Sequence, residues 1–348
     1  MKSNSLTAKI KNMRSDTRLA NEGRRVLRQS KNLLFVIFRT AIIIGLSYVI
    51  LGPLIGILAN SFFSNADKYS PVVYLIPQEP TLERYRLAII RMDFWNTLLR
   101  MLAYVASLTL IQIFICSLVG YGFARFKFPL KKLFFACVII MIVIPSHSVM
   151  LPIYMTFQNF NPLGIVGAVN NIRANGGLSG LSLSSLFSGG GGINLLGTPI
   201  PMYIMTLLGC GLRAGLYIYI FNQFFRGLPK EIEEAAAIDG AGTIYTYFRI
   251  MLPNAMPSII TVTIFSIVWQ YNDTFFANLF MISPDIVLSK SIASLQTNVQ
   301  FLDRIFDPSI SVLYVYAGII LVITPIMVLY VLLQKWFIEG VERSGIVG

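Results

Sequence analysis

Residues 228–257 read LPKEIEEAAAIDGAGTIYTYFRIMLPNAMP. The run divides into two short helices. Pro229 suits a first helical position, where its missing N–H costs nothing. Glu231, Glu233 and Glu234 fall in the first turn or so, where the helix dipole favours negative charge. Ala235, Ala236 and Ala237 continue it as strong helix formers. Asp239-Gly240 reads as a stop, because glycine alone takes positive φ freely. Thr243 is placed to cap a second helix running to about Met251, and Pro253 is expected to end it, since the residue before a proline is pushed out of the α region.

On either side of this polar segment the chain turns apolar. Of its 348 residues 55% are hydrophobic and only 13% charged, against about 25% charged in a soluble domain. Six stretches reach the roughly 20 apolar residues that a bilayer-crossing helix needs: 33–58, 97–123, 133–157, 200–224, 257–281 and 310–337. None alternates with period two, which argues against a membrane barrel. The first is too long for a signal-peptide core and follows about thirty polar residues. Eighteen of the 28 lysines and arginines fall before the first stretch, after the second, after the fourth and at or beyond the end of the sixth. The positive-inside rule makes these segments cytoplasmic. The expected fold is therefore an all-α integral membrane bundle of six transmembrane helices with both termini inside. A basic segment, 1–32, precedes a transmembrane domain, 33–348. Within that domain a Gly/Ser-rich outer insertion spans about 159–199, and the polar loop spans about 226–257.

Composition excludes several classes. The chain is too hydrophobic to be disordered, and three cysteines make no disulfide framework. A net charge of +12 could suggest nucleic acid, but its position makes it a topology signal and an attraction to anionic headgroups in the lipid bilayer. No Gly-Lys dipeptide occurs, so the chain carries no phosphate-binding loop. One histidine without neighbouring thiols or carboxylates makes no metal site, and the scarcity of such groups in the spans argues against an enzyme.

The loop resembles the EAA loop of bacterial ABC importer permeases, whose pattern is Glu-Ala-Ala, three residues, Gly, nine residues, then Ile-x-Leu-Pro. Glu234-Ala235-Ala236, Gly240, Ile250, Leu252 and Pro253 match every specified position. Other stretches are similar to the carbohydrate-uptake branch that contains the smaller maltose-type permease. They are Pro80-Thr81-Leu82-Glu83-Arg84-Tyr85, Asn96-Thr97-Leu98, Tyr121-Gly122-Phe123-Ala124-Arg125-Phe126, Phe128-Pro129, Ile144-Pro145, Met150-Leu151-Pro152-Ile153-Tyr154 and Asn272-Asp273. The outer insertion and the Glu342-Arg343-Ser344-Gly345 tail depart from that branch.

This resemblance implies an ABC type I importer permease in a bacterial cytoplasmic membrane. Its loop, with Asp239 beside the motif residues, docks into a cleft on the ATPase. Two ATPase subunits hold the ATP and Mg, while this chain carries no cofactor. A second related permease completes the pore, and an extracytoplasmic solute-binding protein delivers a carbohydrate. Importers of a polyol, a glycerol phosphoester or a peptide carry the same loop; an ion-coupled transporter or channel would need none.

Polar residues inside a membrane are costly and default to functional candidates. Trp269, Tyr271, Asn272 and Asp273 form one cluster suited to sugar rings and hydroxyls. His147, flanked by Pro145 and Pro152, forms another in a span expected to kink. The competing role is a hydrogen bond between helices for the first and a satisfied polar residue at the kink for the second. Arg213 has the sign to pair with Asp273, while Arg39 and Arg100 lie near span ends and are expected to snorkel.

Overall fold

The computed structural model describes residues 33–162 and 192–345, with side chains to 335. The basic segment 1–32 and most of the Gly/Ser-rich insertion lie outside the described residues. The chain divides into two units, Met1–Pro80 and Thr81–Gly348.

In the first unit, α1 (Leu33–Asn60) is long and apolar enough to cross a membrane. It leads to the short α2 (Asn65–Tyr69), which Ser64 opens with a reciprocal capping box to Asp67. The buried Asp67 carboxylate also accepts from the backbone N–H groups of Gln78 and Glu79, at 3.1 and 3.2 Å. Burial alone would raise its pKa. The N–H donors of Ser64, Glu79 and Gln78 outweigh that and hold it below the usual carboxylate value.

The second unit begins with α3 (Glu83–Arg91) and α4 (Phe94–Arg125). At roughly 1.5 Å per residue α4 is about 48 Å long, more than a hydrocarbon core. Met101, Tyr104, Val105, Leu108, Thr109, Gln112, Cys116 and Gly120 recur at helical spacing and form its buried face. Next come α5 (Lys131–Val143) and α6 (Met150–Gln158), joined through a tight turn at Ser146–Val149. The two arms meet at 107°. The expected kink at Pro145 is thus a full bend, and neither arm is long enough to cross a membrane alone. At the neck of the insertion, Phe160 and Ile193 pair through two backbone hydrogen bonds of 2.9 and 3.1 Å.

The expected continuous helix over 200–224 is broken. It forms α7 (Ile200–Leu207) and α8 (Ala214–Gly227). Between them Gly209 and Arg213 take left-handed φ of 72° and 60°, which no right-handed helix can contain. The Leu212 carbonyl freed at this break accepts from Gln112 Nε2 at 2.6 Å. Gln112 in turn belongs to a buried polar cluster with Thr109, Ser266 and Gln270. Buried pairing of this kind is what irregular backbone at membrane depth requires.

The loop after α8 forms α9 (Glu231–Ile238), α10 (Thr243–Thr246) and α11 (Leu252–Asn254), then bends by 75° into α12 (Met256–Tyr271). The expected span 257–281 therefore ends at Tyr271, and a short α13 (Phe275–Leu279) follows a break. Last come α14 (Leu288–Leu302) and α15 (Pro308–Gly345), of which Pro308–Lys335 is apolar enough to span. They pack with α3. Buried Arg84 lies 4.6 Å over the Tyr314 ring and donates to its hydroxyl at 2.5 Å, and Arg91 grips Asp303 with two nitrogens. Among the described residues three helices can cross a membrane unaided, and two bent pairs reach that length jointly.

Candidate functional site

The loop over 228–254 folds as its residues dictate. Gly240 takes φ of 80°. Its N–H donates to Ala237 at 3.1 Å, and that of Ala241 reaches Ala236 at 2.9 Å. This pair of bonds is a Schellman motif, which caps the end of α9. At α10 the expected cap moves by one residue. Gly242, in extended conformation, occupies the cap position, and no side chain bonds there. Thr243 becomes the first helical residue.

Pro253 does not end the second helix. The backbone widens into a π turn over Tyr247–Met251, where Leu252 N–H reaches back to the Tyr247 carbonyl. Pro253 then stands in the first turn of α11, where no hydrogen bond is forfeited. Such widening relieves the clash a proline ring makes with the carbonyl four residues back.

One face of the loop is anchored. Tyr121 donates its hydroxyl to Glu233 Oε1 at 2.7 Å, and Arg125 Nε stands 3.0 Å from Glu233 Oε2. Arg125 also donates to the Leu228 carbonyl at 2.8 Å. Its side chain is 7% exposed and that of Glu233 21%. Tyr121 packs against Phe225 and Tyr247 with ring centroids 5.4 and 5.1 Å apart, and the Tyr247 hydroxyl meets Ser117 at 2.8 Å. Tyr247, Met251 and Ala255 are buried in a core shared with α4, α5, α8 and α12.

The other face is open. Ile238 is 86% exposed, Ile244 76% and Tyr245 59%. Glu234, Ala235, Asp239 and Gly240 are exposed beside them, while Ala236 is buried, Ile250 and Leu252 are half-buried and Pro253 is exposed. Isoleucines this bare on a fixed turn form an apolar patch of the kind partners cover.

The sequence motif did not single out Glu233. It supplies the anchor because Tyr121 and Arg125, four apart on α4, present a hydroxyl and a guanidinium on one helix face. That spacing was visible, but its partner lies more than a hundred residues away.

The intramembrane candidates separate into two environments. His147 sits in the turn between α5 and α6, its ring 4.3 Å from that of Phe275. With Met150, Thr274, Asn278 and Leu279 these rings line an open cleft of about 480 Å³. Asn272 is exposed and donates to the Val268 carbonyl at 2.9 Å. Asp273 lies in the break after α12, where its carboxylate accepts from Phe276 N–H at 3.2 Å. It therefore stands at a helix break rather than inside a helix. Trp269 carries the Arg213 guanidinium 4.2 Å over its ring. This corrects the expected Arg213–Asp273 pair. The left-handed backbone at Arg213 delivers its side chain to an aromatic face, and the ion pairs among the described residues do not include these two. Tyr271 is buried, and its hydroxyl donates to the Val322 carbonyl of α15 at 2.7 Å. It ties two helices. Arg100 pairs with Asp285 at 2.8 Å.

Long apolar helices, a polar loop fixed on one side and bare on the other, and helix breaks whose polar groups pair inside the apolar bundle define a multi-pass membrane protein of the transporter-subunit class. Residues 112–343 match the family described as binding-protein-dependent transport system inner membrane component, and the chain belongs to that family. It is 23% identical over 311 residues to the diacetylchitobiose uptake system permease protein NgcG of Streptomyces coelicolor, covering 89% of this chain and 88% of that one. It is 25% identical over 294 residues to the melibiose/raffinose/stachyose import permease protein MelC of Bacillus subtilis, covering 84% and 90%. Among solved structures it resembles a bacterial ABC transporter involved in the import of the acidic polysaccharide alginate. That match has a TM-score of 0.64 at 20% identity and covers 87% of this chain and 96% of that one; at this identity it speaks for the fold.

Proposed function

We propose that this chain is one of two permease subunits of an ATP-driven importer in a bacterial cytoplasmic membrane, and that it moves a carbohydrate, an oligosaccharide in the first instance. The observation that carries the reading is the loop, whose bare Ile238–Tyr245 face is fixed through Glu233 to α4. The names of the relatives support the carbohydrate.

In this reading the bent α5–α6 pair and the broken α7–α8 helix each count as one crossing, which with α1, α4, α12 and α15 gives six and leaves both termini inside. An external binding protein delivers the sugar. Two ATPase subunits, holding ATP and Mg, close and press on the loops of this chain and of a second permease. Glu234, Ala235, Asp239 and Gly240 meet the ATPase, buried Ala236 packs the helix beneath them, and Ile250, Leu252 and Pro253 shape the return. The push passes from Glu233 to Tyr121 and Arg125, and so into α4. His147, Trp269, Asn272 and Asp273 face the sugar path. Tyr271 leaves that set for a role between helices.

The test is uptake of labelled oligosaccharide by vesicles holding the whole importer with its binding protein. Uptake should require internal ATP and withstand ionophores. Uptake that persists without ATP and collapses with an ion gradient would overturn the reading in favour of an ion-coupled carrier.

A further inference from the structure

The turn between α4 and α5 makes a cleft of about 380 Å³ lined by Lys127, Phe128, Leu130, Lys131 and Lys132. Its three ammonium groups belong to none of the ion pairs among the described residues. Lys131 Nζ is held over the cleft by the Phe126 carbonyl at 2.8 Å, and the first turn of α5 contains no acid. A fourth cation, Arg226 of α8, stands 5.9 Å from the centroid of the Phe135 ring of α5. Positive charges gathered without a counter-ion repel one another, and a bound anion would relieve that repulsion.

The rim says which kind of anion. Phe126, Phe128, Leu130, Leu133 and Phe134 are all exposed around the lysines. A freely soluble anion would make no contact with those side chains. A phosphodiester carrying acyl chains satisfies the ammonium groups with its headgroup and covers the rings with its tails, and basic pockets beside membrane helices are suited to such headgroups.

The geometry points to a binding site for one anionic phospholipid of the inner leaflet, its phosphate held by Lys127, Lys131 and Lys132 and its chains lying on Phe128 and Leu130. The leaflet rests on the orientation given under the proposed function; the binding itself does not. Phe126 joins this site to the loop anchor, since its ring lies 5.5 Å from that of Tyr121.

The test uses the purified full-length chain in neutral detergent, titrated with phosphatidylglycerol or phosphatidylcholine and read by native mass spectrometry. The variant is K127Q/K131Q/K132Q, with F128S as a second variant that keeps every charge. Each lysine is worth about fivefold at a lipid surface, so the triple variant should bind phosphatidylglycerol on the order of a hundredfold more weakly. Phosphatidylcholine should not distinguish it from the original chain. F128S should also weaken phosphatidylglycerol binding, and millimolar inorganic phosphate should leave the bound lipid in place. Equal phosphatidylglycerol binding by the original chain and the triple variant would overturn the site, and displacement by inorganic phosphate would overturn the lipid in favour of a soluble anion. Neither measurement involves ATP or transport, so failure here is distinct from failure of the importer reading.

Discussion

Glu233 and Arg125 show how much of the loop's behaviour is set by single residues. Between them they fix α9 to α4, with Tyr121 completing the contact. A Glu233→Ala change leaves the largely buried Arg125 without its ionic partner, with only the Leu228 carbonyl to accept from it. In a double-mutant cycle with Arg125→Leu, thermal unfolding of the purified chain should show a coupling of about 1–3 kcal/mol. The two aromatic candidates at the end of α12 part company at the same scale. Trp269→Ala should raise the KM of uptake by roughly tenfold through loss of a stacking face, and should also cost about 0.5–2 kcal/mol of stability by removing the ring under Arg213. Tyr271→Phe should cost about 1 kcal/mol of stability by deleting the bond to Val322 and leave KM alone. The Asp239-Gly240 stop was legible in the sequence because positive φ is a property of the residue itself. The Glu233 anchor was not, because its meaning depends on a helix surface formed a hundred residues earlier.

Between elements the deciding feature is how closely backbones approach. A Cβ added at Gly120 would lie 2.6 Å from Phe221 Cβ and 3.0 Å from the Asn222 nitrogen, so α4 and α8 meet where α4 has no side chain. Gly120→Val should destabilise by about 1–3 kcal/mol and lower the yield of folded chain. Gly122→Ala on the same helix should be tolerated, since its nearest neighbour is Phe126 Cδ2 at 4.0 Å. The loop after α1 adds a pH dependence. The pKa of Asp67 is lower in the fold than in the open chain. Its contribution is therefore complete above the open-chain value of about 3.9 and is lost as pH falls through the folded value. Amide exchange at Gln78 and Glu79, corrected for intrinsic rates, should rise on acidification below that range and match Asp67→Asn at neutral pH. Helix breaks were the part of the fold least legible beforehand. Hydropathy averages over a window, so 200–224 read as one helix although Gly209 and Gly211 lay in plain view. The bend at Pro145 was legible as a kink but not in size, because its angle is set by packing.

For the whole molecule, the apolar stretches and the motif of the polar loop together identified an all-helical membrane protein and its family, because both are local properties of sequence. The surroundings of the candidate path residues were less legible. Asn272 and Asp273 adjoin a break, Trp269 carries Arg213, and Tyr271 turns to α15; only the packed helices reveal those directions. The central claim is that the loop over 228–254 carries force from an ATPase into the membrane helices, and Gly240→Val tests it most directly. Valine at φ of 80° is strained by about 1–2 kcal/mol and breaks the cap of α9, while open space around Gly240 keeps the side chain from clashing with the core. The measurement is ATP hydrolysis by the reconstituted importer with and without its sugar-loaded binding protein. The account predicts that the variant assembles, retains basal hydrolysis and loses most of the stimulation together with uptake. Full stimulation and normal uptake in that variant would contradict it.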